Sequence, residues 1–184
     1  MILPIYIYGH PVLRKMCDPI TQDYPELDSL IKNMFETMYH ANGVGLAAPQ
    51  VGKPIRLFVV DASPFAEEEP ELGGFKKVFI NAQITDRTGE EWSMDEGCLS
   101  IPGLTAPVVR EDEITITYRD ENWEEHTDTF KGYAARIIQH EYDHIEGVLF
   151  PERCAPLRRR MLNNKLKKIS KGVFEKNYKY VLGK

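Results

Sequence analysis

The segment "YAARIIQHEYDHIEG" (133–147) constrains the fold more than any other stretch of this chain. Ala134, Ile137, Ile138 and Ile145 recur on one side of a helix, and Gly147 suits the position just past its end. That side belongs on a core. The same segment carries His140, Glu141 and His144. Four helical residues return a side chain to nearly the same face, so both imidazoles can reach one ion. Glu141 points about 100° away, close enough to touch a ligand on that ion. This is the spacing of a zinc hydrolase helix. A solvated helix face rich in His, Glu and Asp reads the same way, so the motif alone leaves both readings open.

Around this helix the chain reads as α+β. Residues 25–42 form the clearest other helix, with Leu27, Leu30, Ile31, Met34, Phe35 and Met38 repeating at three and four. Pro25 suits its first turn and Gly43 its end. "IRLFVVD" (55–61) reads as a buried strand, and "KKVFINAQITDR" (76–87) and "EITITYRD" (113–120) as further strands. "DEN" (120–122) turns the last of these into a return strand over 123–130. An acidic Pro/Gly loop fills 63–74, and a basic helix is predicted over 156–171. This order predicts mostly antiparallel strands packed around a central motif helix, with one helix N-terminal and one C-terminal, rather than alternating βαβ units. The expected partition is a catalytic unit over 1–155 and a basic helical tail of the same domain over 156–184.

At 184 residues, 42% of them hydrophobic, the chain is sized for one domain with its own core. Its longest apolar runs, such as "LFVV" (57–60), are strand-sized, which argues against a membrane-spanning helix. The first residues show neither the basic leader nor the small-residue cleavage site of a secretory signal. Cys17, Cys98 and Cys154 are an odd, irregularly spaced set, which argues against a disulfide framework and for a reducing compartment. A cytoplasmic monomer without membrane contact is expected. Net charge is −5 but uneven: Leu157 to Lys184 hold ten basic residues against one acid, Glu175, while the first 156 residues hold 13 basic and 27 acidic ones. Such asymmetry fits either a contact with a polyanionic surface or a solvated basic helix. The tail offers no candidate metal ligand of this kind, so any catalysis by the motif residues is expected to survive loss of residues 172–184.

A catalytic site of this kind takes three protein ligands and keeps one position open. Extension of the motif by x-x-G-x-x-H is excluded, because Gly147 matches but position 150 is Phe150. A later glutamate does not serve either: Glu146 and Glu152 lie too near the helix end, and Glu175 sits in the basic tail. Upstream, "DEGCLSIPG" (95–103) holds Cys98, flanked by Gly97 and a Ser/Pro stretch. A thiolate with two imidazoles suits Zn²⁺ or Fe²⁺. The competing reading of Cys98 is a small buried hydrophobe, as free cysteine usually is. His10, His40 and His126 remain rival ligands. In "GVGLAAPQVG" (43–52), glycines and alanines around Leu46 make a compact backbone that another segment can approach closely, with the Gln50 amide beside it. Alone, that stretch reads as a turn after helix 25–42.

Together, "GVGLAAPQ", "EGCLS" and "QHEYDH", in this order and at these separations, resemble the three motifs of the peptide deformylases. The resemblance runs from "YGHPVLRK" near the start to about residue 150. It implies removal of the formyl group from the N-terminal formylmethionine of new polypeptides. It also implies that Cys98, His140 and His144 hold one divalent ion, Fe²⁺ in the cell, with Zn²⁺, Ni²⁺ or Co²⁺ as substitutes in purified protein. Glu141 would be the catalytic acid/base, and Gln50 and the Leu99 backbone N–H would face the formyl oxygen. The substrate is expected to add as a strand at the edge near Val44 and Gly45, beside Gly97, with its methionine side chain against Val44, Leu99 and Ile137. Glu96 and Arg110 are expected to be a structural pair.

Two departures stand out. Many members carry arginine seven residues after the motif cysteine, where this chain has Thr105, and "INP" where it reads "INA" (80–82). The tail resembles the C-terminal helix of some bacterial members in charge only, and docking on the ribosome is the expectation drawn from it. Two rival readings are weaker. A closed structural metal module needs a fourth ligand, for which only Glu141 is local. A peptidase cutting internal bonds lacks its downstream ligand.

Overall fold

The computed structural model describes residues 1–184. In chain order the elements are β1 (Ile5–Tyr6), α1 (Leu27–His40), β2 (Gly45–Ala47), β3 (Leu57–Asp61), β4 (Lys76–Cys98) and β5 (Ile101–Arg119). There follow β6 (Glu125–Lys131), α2 (Gly132–Ile145), α3 (Pro156–Ser170) and β7 (Tyr180–Val181). Strands β2 to β6 form one antiparallel sheet in chain order, while β1 and β7 pair in parallel as a separate two-stranded sheet. The fold is α+β.

The run "LFVV" is apolar throughout because both faces of β3 are covered. Leu57 and Val59 join a cluster with Leu30, Met34 and Met38 of α1. Phe58 and Val60, pointing the other way, join Ile137, Ile138 and Ile145 of α2. The sheet is thus layered between the two helices, with α2 on the inner side. A third cluster draws in both ends of the chain: Ile5, Ile7, Phe150, Leu166, Ile169 and Tyr178 meet Val108 of β5.

The predicted helices are present within a few residues of their expected ends. The strands differ more. β4 and β5 run 23 and 19 residues, well beyond the expected 76–87 and 113–120. Residues 87–91 of β4 are exposed on both faces, so no burial pattern marks them, and they are strand only because the ladder to β5 holds them. Residues 45–47, read as part of a turn, form an edge strand against β3. The tail is not an appendage. Leu166 and Ile169 anchor α3 in the third cluster, and the chain then returns: the N–H groups of Ile5 and Ile7 donate to the carbonyls of Lys179 and Val181, each at 2.9 Å. No helix is long and apolar enough to cross a membrane, and all three cysteines are free thiols.

Candidate active site

Cys98 ends β4, where the two residues Leu99 and Ser100 turn the chain into β5. His140 and His144 lie one turn apart on α2. Packing α2 under the sheet brings the three together: one ligand atom from each of Cys98, His140 and His144 lies within 4.8 Å of the others. Cys98 Sγ is 3.4 Å from His144 Nε2. An ion about 2.3 Å from sulfur and about 2.0 Å from nitrogen spans such separations. The donor set therefore fits a divalent metal. The rival ligands are engaged elsewhere. His10 caps a short turn through Val12 N–H, His126 pairs with Asp120, and His40 is exposed at the end of α1. Cys17 and Cys154 are buried among apolar side chains, and Phe150 is a core residue whose ring lies 6.0 Å from that of His140.

A buried charge needs partners, and here they form one connected network. Glu96 accepts from His140 Nδ1 at 2.8 Å, from Arg110 at 2.7 and 3.0 Å, and from Arg136 at 2.7 Å. Arg110 also donates to Asp143 at 3.0 Å, and Arg153 donates to the same carboxylate. With a proton on Nδ1 held by Glu96, His140 turns Nε2 toward Cys98, the orientation that a carboxylate partner enforces on a ligating histidine. Glu96 is thus more than half of a structural pair. Its place two residues before Cys98, on the same face of β4, is the signal that could have marked it. Burial alone would raise the Glu96 pKa, but hydrogen bonds and charge from His140 and Arg110 outweigh it and hold the carboxylate well below its usual range. For His144, burial and then the charges of His140 and Arg110 hold the pKa well below the usual value, leaving the neutral imidazole that can ligate.

Glu141 is 4% exposed and its Oε2 has no hydrogen-bond partner in the chain. Burial pushes its pKa up to about 7, against the lowering pull of His140. The carboxylate lies against β2: a Cβ added at Gly45 would sit 2.6 Å from Glu141 Oε1. Glycine at 45 is what admits the carboxylate. A Cβ at Gly43 would likewise meet Leu99 Cδ1 at 2.8 Å. Gln50 is buried, and its orientation follows from its contacts. Its Oε1 accepts from Ala47 N–H at 2.9 Å, so Nε2 points to Ser100 Oγ at 3.1 Å and Cys98 Sγ at 3.5 Å.

These groups open onto a pocket of about 530 Å³. Val44, Gly45, Gly97, Leu99 and Ile137 all line it, so every residue singled out for substrate contact is at the site. Two further lining residues, Lys176 and Tyr178, come from the tail. No sequence pattern marked either.

The profile of the polypeptide deformylase family matches residues 2–160. The chain is 55% identical to the peptide deformylase of Christiangramia forsetii, across 97% of this chain and 95% of that protein. It is 53% identical to the peptide deformylase of Flavobacterium psychrophilum, across 99% and 97%. Among solved structures, the peptide deformylase of Thermus thermophilus superposes with a TM-score of 0.82 at 39% identity, covering 94% of this chain and 99% of that one. The Synechococcus elongatus deformylase in complex with actinonin gives a TM-score of 0.77 at 37% identity, covering 89% and 85%. The chain belongs to the polypeptide deformylase family, metal-dependent hydrolases that remove the N-formyl group from nascent polypeptides.

Proposed function

We propose that Cys98 Sγ and one ring nitrogen each of His140 and His144 hold the catalytic ion, Fe²⁺ in the cell, and that Glu141 moves the proton in formyl hydrolysis. The observation carrying this reading is the convergence of those three ligand atoms beside a buried carboxylate oxygen, Glu141 Oε2, that nothing else in the chain engages. A soft thiolate with two imidazoles suits Fe²⁺, Zn²⁺, Ni²⁺ and Co²⁺ alike. Such an ion, when bound, polarises a carbonyl and makes water nucleophilic near neutral pH.

The chain's own groups do the rest. Glu141 accepts a proton from the attacking water and delivers it to the leaving nitrogen, general acid/base work that contributes typically about 10²–10⁴-fold. Gln50 Nε2 and the Leu99 N–H face the formyl oxygen as charge develops on it, each such donor contributing on the order of 3 kcal/mol. The edge at Val44 and Gly45 pairs with the substrate's extended backbone, with Gly97 opposite, while Val44, Leu99 and Ile137 receive the methionine side chain. The basic face of α3 docks on ribosomal RNA in a cytoplasmic, monomeric enzyme. Its support is the exposure of Arg158, Arg159, Arg160, Lys167 and Lys168 on one helix.

Hydrolysis of formyl-Met-Ala-Ser and acetyl-Met-Ala-Ser, with metal content measured on the same samples, tests the reading. Formate release proportional to bound metal, with the acetyl peptide left intact, is the expected result. Equal cleavage of both peptides, or metal without turnover, would overturn it.

A further inference from the structure

The turn Cys98–Leu99–Ser100 is held from three sides. Gln50 Nε2 donates to Ser100 Oγ at 3.1 Å, the Tyr8 N–H donates to the Ser100 carbonyl at 2.8 Å, and the Tyr178 hydroxyl donates to the Leu99 carbonyl at 2.6 Å. The last two partners come from opposite ends of the chain, and the same ends are joined by the β1–β7 pairing, Ile5 opposite Tyr180 and Tyr6 opposite Val181. Tyr178 lies between α3 and β7, is 8% exposed, and lines the pocket that holds His140 and Glu141. Its ring joins the third cluster with Ile101 and Leu104, so the apolar body is packed and only the hydroxyl reaches out.

Leu99 is thereby tied at both of its free parts. The side chain is seated against Gly43 and the carbonyl is tied by Tyr178. With both fixed, the backbone dihedrals of Leu99 are set, and so is the direction of its N–H, which makes no hydrogen bond within the chain. A donor aimed at developing charge is effective because it need not reorganise during the reaction.

We propose that Tyr178 is a positioning residue: its hydroxyl, carried into place by the β1–β7 pairing, holds the Leu99 carbonyl and with it the backbone dihedrals of Leu99, so that the Leu99 N–H faces the formyl oxygen. This rests on the role given to Leu99 under the proposed function. It also reverses the expectation that residues 172–184 are dispensable for turnover of a free peptide. The tail reaches the active site through one hydrogen bond, and loss of that bond should be felt in the chemical step rather than in substrate binding.

Two single substitutions test this in the metal-loaded full-length enzyme. Tyr178→Phe keeps the packed ring and removes the donor. Val173→Ala changes a tail residue that is 62% exposed, outside the pocket and outside β7. Steady-state kinetics on formyl-Met-Ala-Ser, metal content, and the amide resonance of Leu99 in ¹⁵N-leucine-labelled protein are measured for each. Tyr178→Phe should lower kcat on the order of tenfold, as expected when a reacting geometry loosens, with KM and metal content unchanged and the Leu99 amide resonance shifted and broadened. Val173→Ala should keep kcat within about twofold of wild type. Wild-type kcat in Tyr178→Phe, an equal kcat loss in Val173→Ala, or metal loss from Tyr178→Phe would each overturn the proposal. Wild-type protein releasing no formate would instead sink the deformylase reading itself, a result distinct from these.

Discussion

Helices α2 and α3 are nearly equal in length, 14 and 15 residues, and both are dense in polar side chains, yet α2 is buried along most of its length and α3 along one narrow stripe. The difference lies in what other elements bring to them. On α2, Arg136, His140 and Asp143 meet opposite charge from Glu96, Arg110 and Arg153, all of it at hydrogen-bond distance. On α3, no basic residue joins an ion pair within the chain. Leu166 and Ile169 turn inward, with Leu162 half-buried against the same cluster. A polar helix can be buried when partners arrive from distant strands; without them its charges stay in water. The functional consequence is a division of labour. The paired helix can hold groups rigidly at one point, whereas the bare helix presents a diffuse charged surface.

The largest break in that contrast should come at the metal set. Cys98→Ala should abolish both metal retention and formate release, while Cys17→Ser and Cys154→Ser keep both, as read by metal analysis and turnover. Full metal and turnover in Cys98→Ala would dissolve the proposed ligand set. Next comes Glu141→Gln, which keeps the shape of the side chain but cannot take a proton. It should retain the ion and lose at least about 10²-fold in kcat. A variant within a few-fold of wild type would remove Glu141 from proton transfer.

The contrast in stability is sharper still as a paired experiment. Arg110→Met leaves Glu96 and Asp143 short of a buried partner and should cost about 3–5 kcal/mol in urea unfolding. Arg159→Met on the bare face of α3 should shift the same measurement by no more than about 0.5 kcal/mol. Similar costs at the two sites would mean that burial of α2 does not depend on its charge partners. The smallest effect on catalysis is expected from reversing Arg158, Arg159, Arg160, Lys167 and Lys168 together. Turnover of a free formyl peptide should stay within about twofold, while salt-sensitive co-sedimentation with ribosomes disappears. Wild-type protein that ignores ribosomes at low salt would leave α3 as a solvated helix and nothing more.

What could be read in advance follows the range over which each feature is encoded. Helix α1 and helix α2 were legible because their apolar residues repeat within a single turn, and the two histidines share a face by helix geometry alone. The run at 57–60 was legible as a strand for the same local reason. Hairpin β4–β5 was legible only in its outer parts: residues 87–91 bury neither face and carry no period, and the alternating burial over 101–110 is broken up in sequence by Pro102, Gly103 and Pro107. The cysteine was a different case. Spacing left His10, His40 and His126 open as rivals, and resemblance to a family, not periodicity, singled out Cys98.

The sequence by itself determined the local elements, the uneven charge and the three motifs, because each is written in residues a few positions apart. Only the tertiary structure decided which groups meet. It set Glu96 behind His140, turned the Gln50 amide by giving its oxygen to Ala47, and brought Tyr178 across 79 residues to the Leu99 carbonyl. The strands that deliver Tyr178 are two residues long, too short for any alternation to show. Their pairing exists because a cluster of apolar residues from both chain ends packs beneath β5, and a contact made at that range depends on where the rest of the chain has already gone.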